Sequence, residues 1–173
     1  MHHKAKLSGK YKKFNAVYEK DNTMKVLTIH DLRSYEPCYD PSKYFPEDWS
    51  GTIIDIVIDE RIPWEDRLWA VMRNDLLSDK LMRLFAVWCA RQVQHLMKDE
   101  RSLKALDVAE NFANGLATKE ELAAAWVAAR DAAWVAARVA AWVAARDARD
   151  ARDAQKDHLV LMILEGESTG DVK

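Results

Sequence analysis

The stretch WVAARDAA (126–133), WVAARVAA (134–141) and WVAARDAR (142–149) repeats one octad three times and continues as ARD triplets to Ala154. Alanine is the strongest helix former, and Lys119–Glu165 contains neither glycine nor proline. The pattern therefore predicts one long α-helix. Unbroken, it would measure roughly 70 Å at about 1.5 Å per residue, so we expect it either to bend or to project.

Each octad places a tryptophan four residues before an arginine. These six residues are the candidate partner-binding residues: Trp126, Arg130, Trp134, Arg138, Trp142 and Arg146. An octad advances about 800° around a helix, about 80° beyond two full turns, so these positions spiral and form no heptad seam. This predicts a helix that neighbours bury on several sides. The alternative is that the octads are only tolerated, because an alanine-rich helix accepts insertions.

Composition and charge indicate the fold class and the domain organisation of the 173-residue chain. It is 49% hydrophobic and 31% charged, with five Gly and four Pro, which predicts an all-α, compact helical bundle. Residues 1–23 hold six Lys against Glu19 and Asp21 and so carry a charge of +4. Since the net charge of the chain is −2, the remaining residues carry −6. We expect a flexible basic arm over 1–23, a single helical domain over 24–165 with the repeat helix at 118–165, and a disordered tail over 166–173.

Local signals place several further elements. Thr28 with Asp31 predicts a capped helix at Ile29–Ser34, and Tyr35–Ser50, rich in proline and aromatic residues, predicts an irregular packed loop. The β-branched run Thr52–Glu60 favours a strand by propensity, but Thr52 with Asp55 resembles a helix cap, and a helix is the prediction. A helix at Trp64–Asn74 is expected to bury three residues: Leu68, Trp69 and Met72.

The sequence pattern of the second half of the chain predicts amphipathic helices. Ser78 and Asp79 begin one whose apolar side comprises Leu81, Leu84, Phe85, Trp88, Val93 and Leu96. Ser102 is expected to cap the next helix, with Asn114–Gly115 as its stop. Thr118 with Glu121 forms a capping box that starts the repeat helix. Its apolar end, Leu159–Leu164, must pack against something.

Several function classes are disfavoured. The net charge of −2 makes nucleic acid an unlikely partner, and Cys38 and Cys89 are too few for a disulfide framework, which favours the cytoplasm. No apolar run suggests a secretory signal or a membrane span. The sequence contains no phosphate loop, nucleophile elbow or zinc motif. We therefore expect a non-enzymatic protein with no catalytic residues, metal ligands or cofactor.

Four segments carry a family resemblance: IPWEDRLWAVMRNDLL (62–77), KLMRLFAVWCARQVQHL (80–96), RSLKALDVAENFANGLATKEEL (101–122) and AAWVAARDAA (124–133). Together they resemble a family of alanine-rich helical proteins of bacteria and phages that is associated with toxin immunity. Asp66–Trp69, Arg83–Ala90 and Ala105–Gly115 take the place of that family's helix and turn motifs, and the likeness covers most of 24–165. The resemblance implies an all-helical protein that acts by binding.

Two functions follow as expectations. The first is an immunity or phage counter-defence protein that neutralises a protein partner, a toxin or defence component, through a helical surface. The second is an oligomeric sponge that sequesters an anionic nucleotide signal, because Arg binds phosphate and Trp stacks on bases. A homo-oligomer fits either function.

Overall fold

The computed structural model describes residues 24–97 and 99–173, except for the side chains of Leu96, 128–150 and 167–168. This part of the chain is mostly helical, which confirms the all-α class. In order, its elements are β1 (Leu27–Thr28), α1 (Ile29–Ser34), β2 (Ser50–Gly51), α2 (Ile53–Ile58), α3 (Trp64–Val71), α4 (Asp79–Gln92), α5 (Glu100–Ala113) and α6 (Lys119–Thr169). Short 3-10 helices lie at Pro41–Lys43 and Gln94–Leu96. The basic arm, 1–23, lies outside the described residues.

Internal contacts divide the chain into two compact units. Unit 1 contains the described residues up to Ser78 together with Lys156–Lys173, and unit 2 is Asp79–Gln155. The sequence predicts a single domain over 24–165, whereas the contacts form two units. Helix α6 contributes to both units, its first part to unit 2 and its last part to unit 1.

Unit 1 has an aliphatic core drawn from distant parts of the sequence. Its fully buried side chains come from β1, α2, the end of α3, the segment after it and the end of α6: Leu27, Ile53, Ile54, Ile56, Val57, Val71, Leu76, Leu77, Leu159, Val160 and Ile163. The apolar end of α6, expected from the sequence to need a packing partner, is therefore buried in unit 1.

Capping boxes begin the two short helices of unit 1. At α1 the Thr28 amide donates to Asp31 Oδ2 over 2.8 Å, and the Asp31 amide donates to Thr28 Oγ1 over 3.2 Å. At α2 the Thr52 amide donates to Asp55 Oδ2 over 2.6 Å. Both predicted helices are confirmed. In the second, the cap and burial on most sides outweigh the strand propensity of the β-branched run.

Aromatic packing and an arginine hold the loop between α1 and β2. Tyr39 meets Tyr44 edge-on at 5.5 Å between ring centroids, and the Phe45 and Trp49 centroids are 4.3 Å apart. Arg33, in α1, binds Asp40 at 3.0 Å and Glu47 at 2.6 Å, so it ties two parts of the loop to this helix. These contacts agree with the irregular but packed loop expected from its prolines and rings.

Helix α3 buries a different face from the one predicted. It ends at Val71, and its buried residues are Trp64, Arg67, Ala70 and Val71. The predicted core residues Leu68 and Met72 are only half-buried, and Trp69 is 41% exposed. The prediction that Trp69 is buried was wrong, because the face that packs in unit 1 is the one that carries Trp64, Arg67 and Ala70. Arg67 lies over the Trp64 ring and donates to the Val57 carbonyl over 2.9 Å.

The C-terminal residues differ from the disordered tail that the sequence suggested for 166–173. Helix α6 continues to Thr169, and Gly170, with φ of 77°, ends it. Val172 then pairs with Leu77 in an antiparallel bridge. The Ser78 amide donates to the Asp171 carbonyl over 2.7 Å. These contacts order the tail, because they form hydrogen bonds with backbone N–H and C=O groups of unit 1 that would otherwise lack partners.

Gly51 is required by a close approach in unit 1. A Cβ at this position would lie 2.9 Å from Trp49 Cζ2 and 3.1 Å from Asp55 Oδ2. We therefore expect Gly51→Ala to lower the free energy of unfolding by about 1–3 kcal/mol, the usual cost of overpacking. Urea denaturation followed by circular dichroism measures this, with Ser50→Ala as the neighbouring control. Equal midpoints for the two variants would show that the Trp49 ring can move aside without cost.

His158, on the part of α6 in unit 1, is expected to make the free energy of unfolding depend on pH. Burial lowers the pKa of His158 below its usual 6.5, although Glu165 opposes the shift. As pH falls through about 6.5, the unfolded chain takes up a proton that the folded state resists. We expect the urea midpoint to fall between pH 7.5 and 5.5, and to fall less in His158→Gln. Parallel pH profiles for the two proteins would contradict this assignment.

Candidate binding groove

Helix α4 provides one wall of the candidate site in unit 2. As predicted, it is amphipathic and buries Leu81 and Phe85, and it also buries Val87. It ends at Gln92, one residue before the predicted core residue Val93, which is 44% exposed. Because α4 ends there, Val93 does not continue its apolar face, and that part of the prediction was wrong.

Helix α5 packs against α4 and is held to it by ion pairs. Arg91 of α4 contacts Asp107 at 2.7 Å and Glu110 at 2.8 Å on α5. These carboxylates raise the pKa of the Arg91 guanidinium. Asp99 caps α5, because its side chain accepts a hydrogen bond from the Arg101 amide over 2.9 Å. The prediction that Ser102 is the cap was therefore wrong, and Ser102 lies in the first turn of the helix. An aspartate one residue before the helix start was available and caps it as well as serine would.

A tight turn then directs the chain into α6. Gly115 adopts φ of 74°, which confirms the predicted left-handed stop. The Leu116 amide donates to the Asn111 carbonyl over 2.7 Å. Thr118 and Glu121 form the predicted capping box, with bonds of 2.7 and 3.1 Å. Hydrogen bonds from the backbone amide and the side chain of Thr118 to the Glu121 carboxylate lower the pKa of Glu121. The turn and the cap together fix where α6 begins.

An open groove lies between these three helices. Its volume is about 510 Å³, and each helix contributes one face at three-to-four-residue spacing. The lining residues are Arg83, Ala86 and Val87 from α4, Leu106 and Ala109 from α5, and Lys119, Leu122, Ala123, Trp126 and Val127 from α6. We call this site the α4–α5–α6 groove.

The described lining of the groove is apolar apart from two cations and one indole ring. Arg83 and Lys119 line it, and no acidic side chain does so among the described residues. Arg83 lies over the Phe112 ring at 4.9 Å, and neither cation forms an ion pair within the described part of the chain. Trp126 remains 64% exposed. The site thus combines a large exposed ring with two positive charges that no described carboxylate pairs.

Of the six candidate residues taken from the octads, only Trp126 has a described side chain, and it lines the groove. The others lie on the helical backbone of α6, but their side chains are outside the described residues: Arg130, Trp134, Arg138, Trp142 and Arg146. Whether these five face a partner therefore stays a prediction.

Sequence reasoning missed the rest of the lining. Ala86, Ala109 and Ala123 have no signal of their own, because alanine in a helix reads only as a good helix former. The apolar periodicity of α4 and α5 did indicate which faces meet. It could not show that α6 would leave a gap beside them.

Within the part of the chain whose side chains the structure describes, no group of three or more His, Cys, Asp and Glu residues could hold a metal ion. Burial raises the pKa of the Cys89 thiol, which works against its reactivity. Within the same part of the chain, no helix is long and apolar enough to cross a membrane.

Comparisons with known proteins do not extend this description. No family model, no curated protein and no solved structure matches the chain. The resemblance to immunity-associated proteins stays a prediction from the sequence.

Proposed function

We propose that this protein is a non-enzymatic binding protein of the immunity or phage counter-defence type, which neutralises a protein partner through the α4–α5–α6 groove. The observation that carries the proposal is the exposed Trp126 beside an open apolar groove of about 510 Å³. Both cysteines are free, in keeping with action in the cytoplasm.

The energetics favour a macromolecular occupant. Trp126 is 64% exposed, so a partner that covers its ring removes a large apolar area from water, which is the dominant favourable contribution to most protein association. Trp and Arg are also the residue types most enriched at interface hot spots. Exposed Val127 lies next to Trp126 and extends the apolar surface. Contiguous exposed apolar surface of this kind marks interaction sites.

A nucleotide sponge fits the groove less well. Arg83, Lys119 and Trp126 supply cations and a ring, but the other seven lining residues with described side chains are alanine, valine or leucine. A nucleotide's ribose and phosphates require several polar partners, and an apolar lining leaves them unsatisfied. A partner with its own apolar face matches this lining better.

The test compares Trp126→Ala with Leu116→Ala, since Leu116 is 76% exposed and does not line the groove. Immobilised wild type and both variants capture proteins from the native host, and each captured protein is purified and titrated by calorimetry. We expect one partner whose affinity falls at least tenfold with Trp126→Ala and is unchanged with Leu116→Ala, a loss of about 1.4 kcal/mol or more. Co-expression should relieve that partner's toxicity or restore phage growth.

Two results would count against this function. One is a captured protein that binds both variants equally, because the groove would then not be the binding surface. The other is a stoichiometric nucleotide found by mass spectrometry in the purified protein and lost in Trp126→Ala. That result would establish the sponge instead.

A further inference from the structure

Resting on the function proposed above, we infer that the occupant of the α4–α5–α6 groove is an amphipathic α-helix of the partner that carries carboxylates along the edge of its apolar face. The inference combines the backbone requirements of the occupant, the small residues of the lining and its two cations.

The lining selects a helix over an extended strand. Apart from Arg83, Lys119 and the indole of Trp126, its described side chains have no polar atoms. An extended peptide would bury backbone N–H and C=O groups against this surface without partners, at a substantial cost. A helix satisfies these groups within itself and presents only side chains. Helix-in-groove recognition uses this arrangement, with anchors at i, i+3, i+4 and i+7.

The alanines of the groove permit close approach. Ala86, Ala109 and Ala123 come one from each wall and end at Cβ, so an incoming helix meets little side-chain bulk there. The volume of about 510 Å³ falls within the range of about 300–1,000 Å³ typical of well-formed ligand sites. Apolar anchors from one face of a helix would occupy this open space beside Trp126.

Charge complementarity then fixes the chemistry of the helix edge. Arg83 and Lys119 face the groove with no ion pair among the described residues, and no described carboxylate lines it. A basic helix edge would meet like charge, whereas glutamate or aspartate at the edge would pair with both cations. Close charge pairs at an interface govern specificity and association rate. The groove therefore selects acidic amphipathic helices over basic ones.

Three labelled peptides test this inference on the full-length protein. Each has about 18 residues, enough for about five turns, and the same leucine face, and they differ only in having Glu, Gln or Lys along its edges. Fluorescence anisotropy measures Kd at low and high salt. We expect the Glu peptide to bind about tenfold or more tightly than the Lys peptide, with the preference shrinking at high salt. Lys119→Gln should reduce the preference severalfold, and Lys104→Gln, outside the groove, should leave it unchanged.

The outcomes separate this inference from the proposed function. If the three peptides bind with equal affinity, or Lys104→Gln acts like Lys119→Gln, the acidic edge is refuted. If none binds, the helical occupant is refuted. In both cases the proposed function is judged separately, by the captured partner and its neutralisation. Circular dichroism of each variant confirms that it is folded before it is titrated.

Discussion

Ile163→Ala is expected to lower the free energy of unfolding by about 3 kcal/mol, near the middle of the range of about 2–5 kcal/mol for removing a large aliphatic side chain from a core. Ile163 is 0% exposed. Its neighbours on the same helical face, Leu159, Val160 and Leu164, are buried as well, so the cavity would be enclosed by packed side chains. Urea denaturation followed by circular dichroism measures the loss.

The matched control is Met162→Ala, one residue earlier on the same helix. Met162 is only half-buried, so its truncation should cost clearly less than that of Ile163. Hydrogen exchange gives a second readout: because α2 belongs to the same core, amides of Ile53–Ile58 should lose protection in Ile163→Ala. A loss below about 1 kcal/mol, or unchanged exchange in α2, would show that the end of α6 is not part of the unit 1 core.

Local chemistry explains why much of the helical layout is predictable from sequence. The capping boxes at Thr28, Thr52 and Thr118 join residues three positions apart, so their signals need no knowledge of the rest of the chain. The left-handed Gly115 is equally local, because only its own φ matters. Helix starts and stops that depend on such contacts can be predicted from sequence.

Long-range contacts explain the errors. Arg67 is buried because a carbonyl ten residues away, on Val57, accepts its hydrogen bond. The tail is ordered because Val172 pairs with Leu77, 95 positions earlier. Neither pairing has a local signal, so the sequence pattern did not indicate that Arg67 is buried and suggested a disordered tail. Burial of polar side chains and order at chain ends are tertiary properties.

Part of the candidate site also follows from a local sequence signal, and part of it follows from long-range packing. The octad pattern singled out Trp126 because a large ring on an alanine helix is conspicuous, and Trp126 does line the groove. The groove itself exists because α6 leaves space beside α4 and α5, which no pattern within one helix can reveal. Arg83 joins the site through α4 and the packing of its ring partner Phe112.

Ala123→Glu is expected to weaken binding of the acidic peptide about 100-fold, the second large effect. Ala123 is exposed and lines the groove, so a glutamate there would stand among the apolar anchors of the bound helix. Covering that carboxylate costs several kcal/mol unless it is paired, and its charge would compete for Lys119 and repel the peptide's own carboxylates. A loss of about 100-fold corresponds to about 2.7 kcal/mol.

The control is the adjacent residue. Ala124 is also exposed but lies about 100° around α6, on the face beside Arg101 and Lys104. Glutamate is a good helix former and both positions are exposed, so both variants should fold and differ only in the face that carries the charge. We expect Ala124→Glu to bind the acidic peptide as wild type does. Equal losses in both variants would mean that added negative charge anywhere on the start of α6 repels the peptide, and that the groove does not hold it.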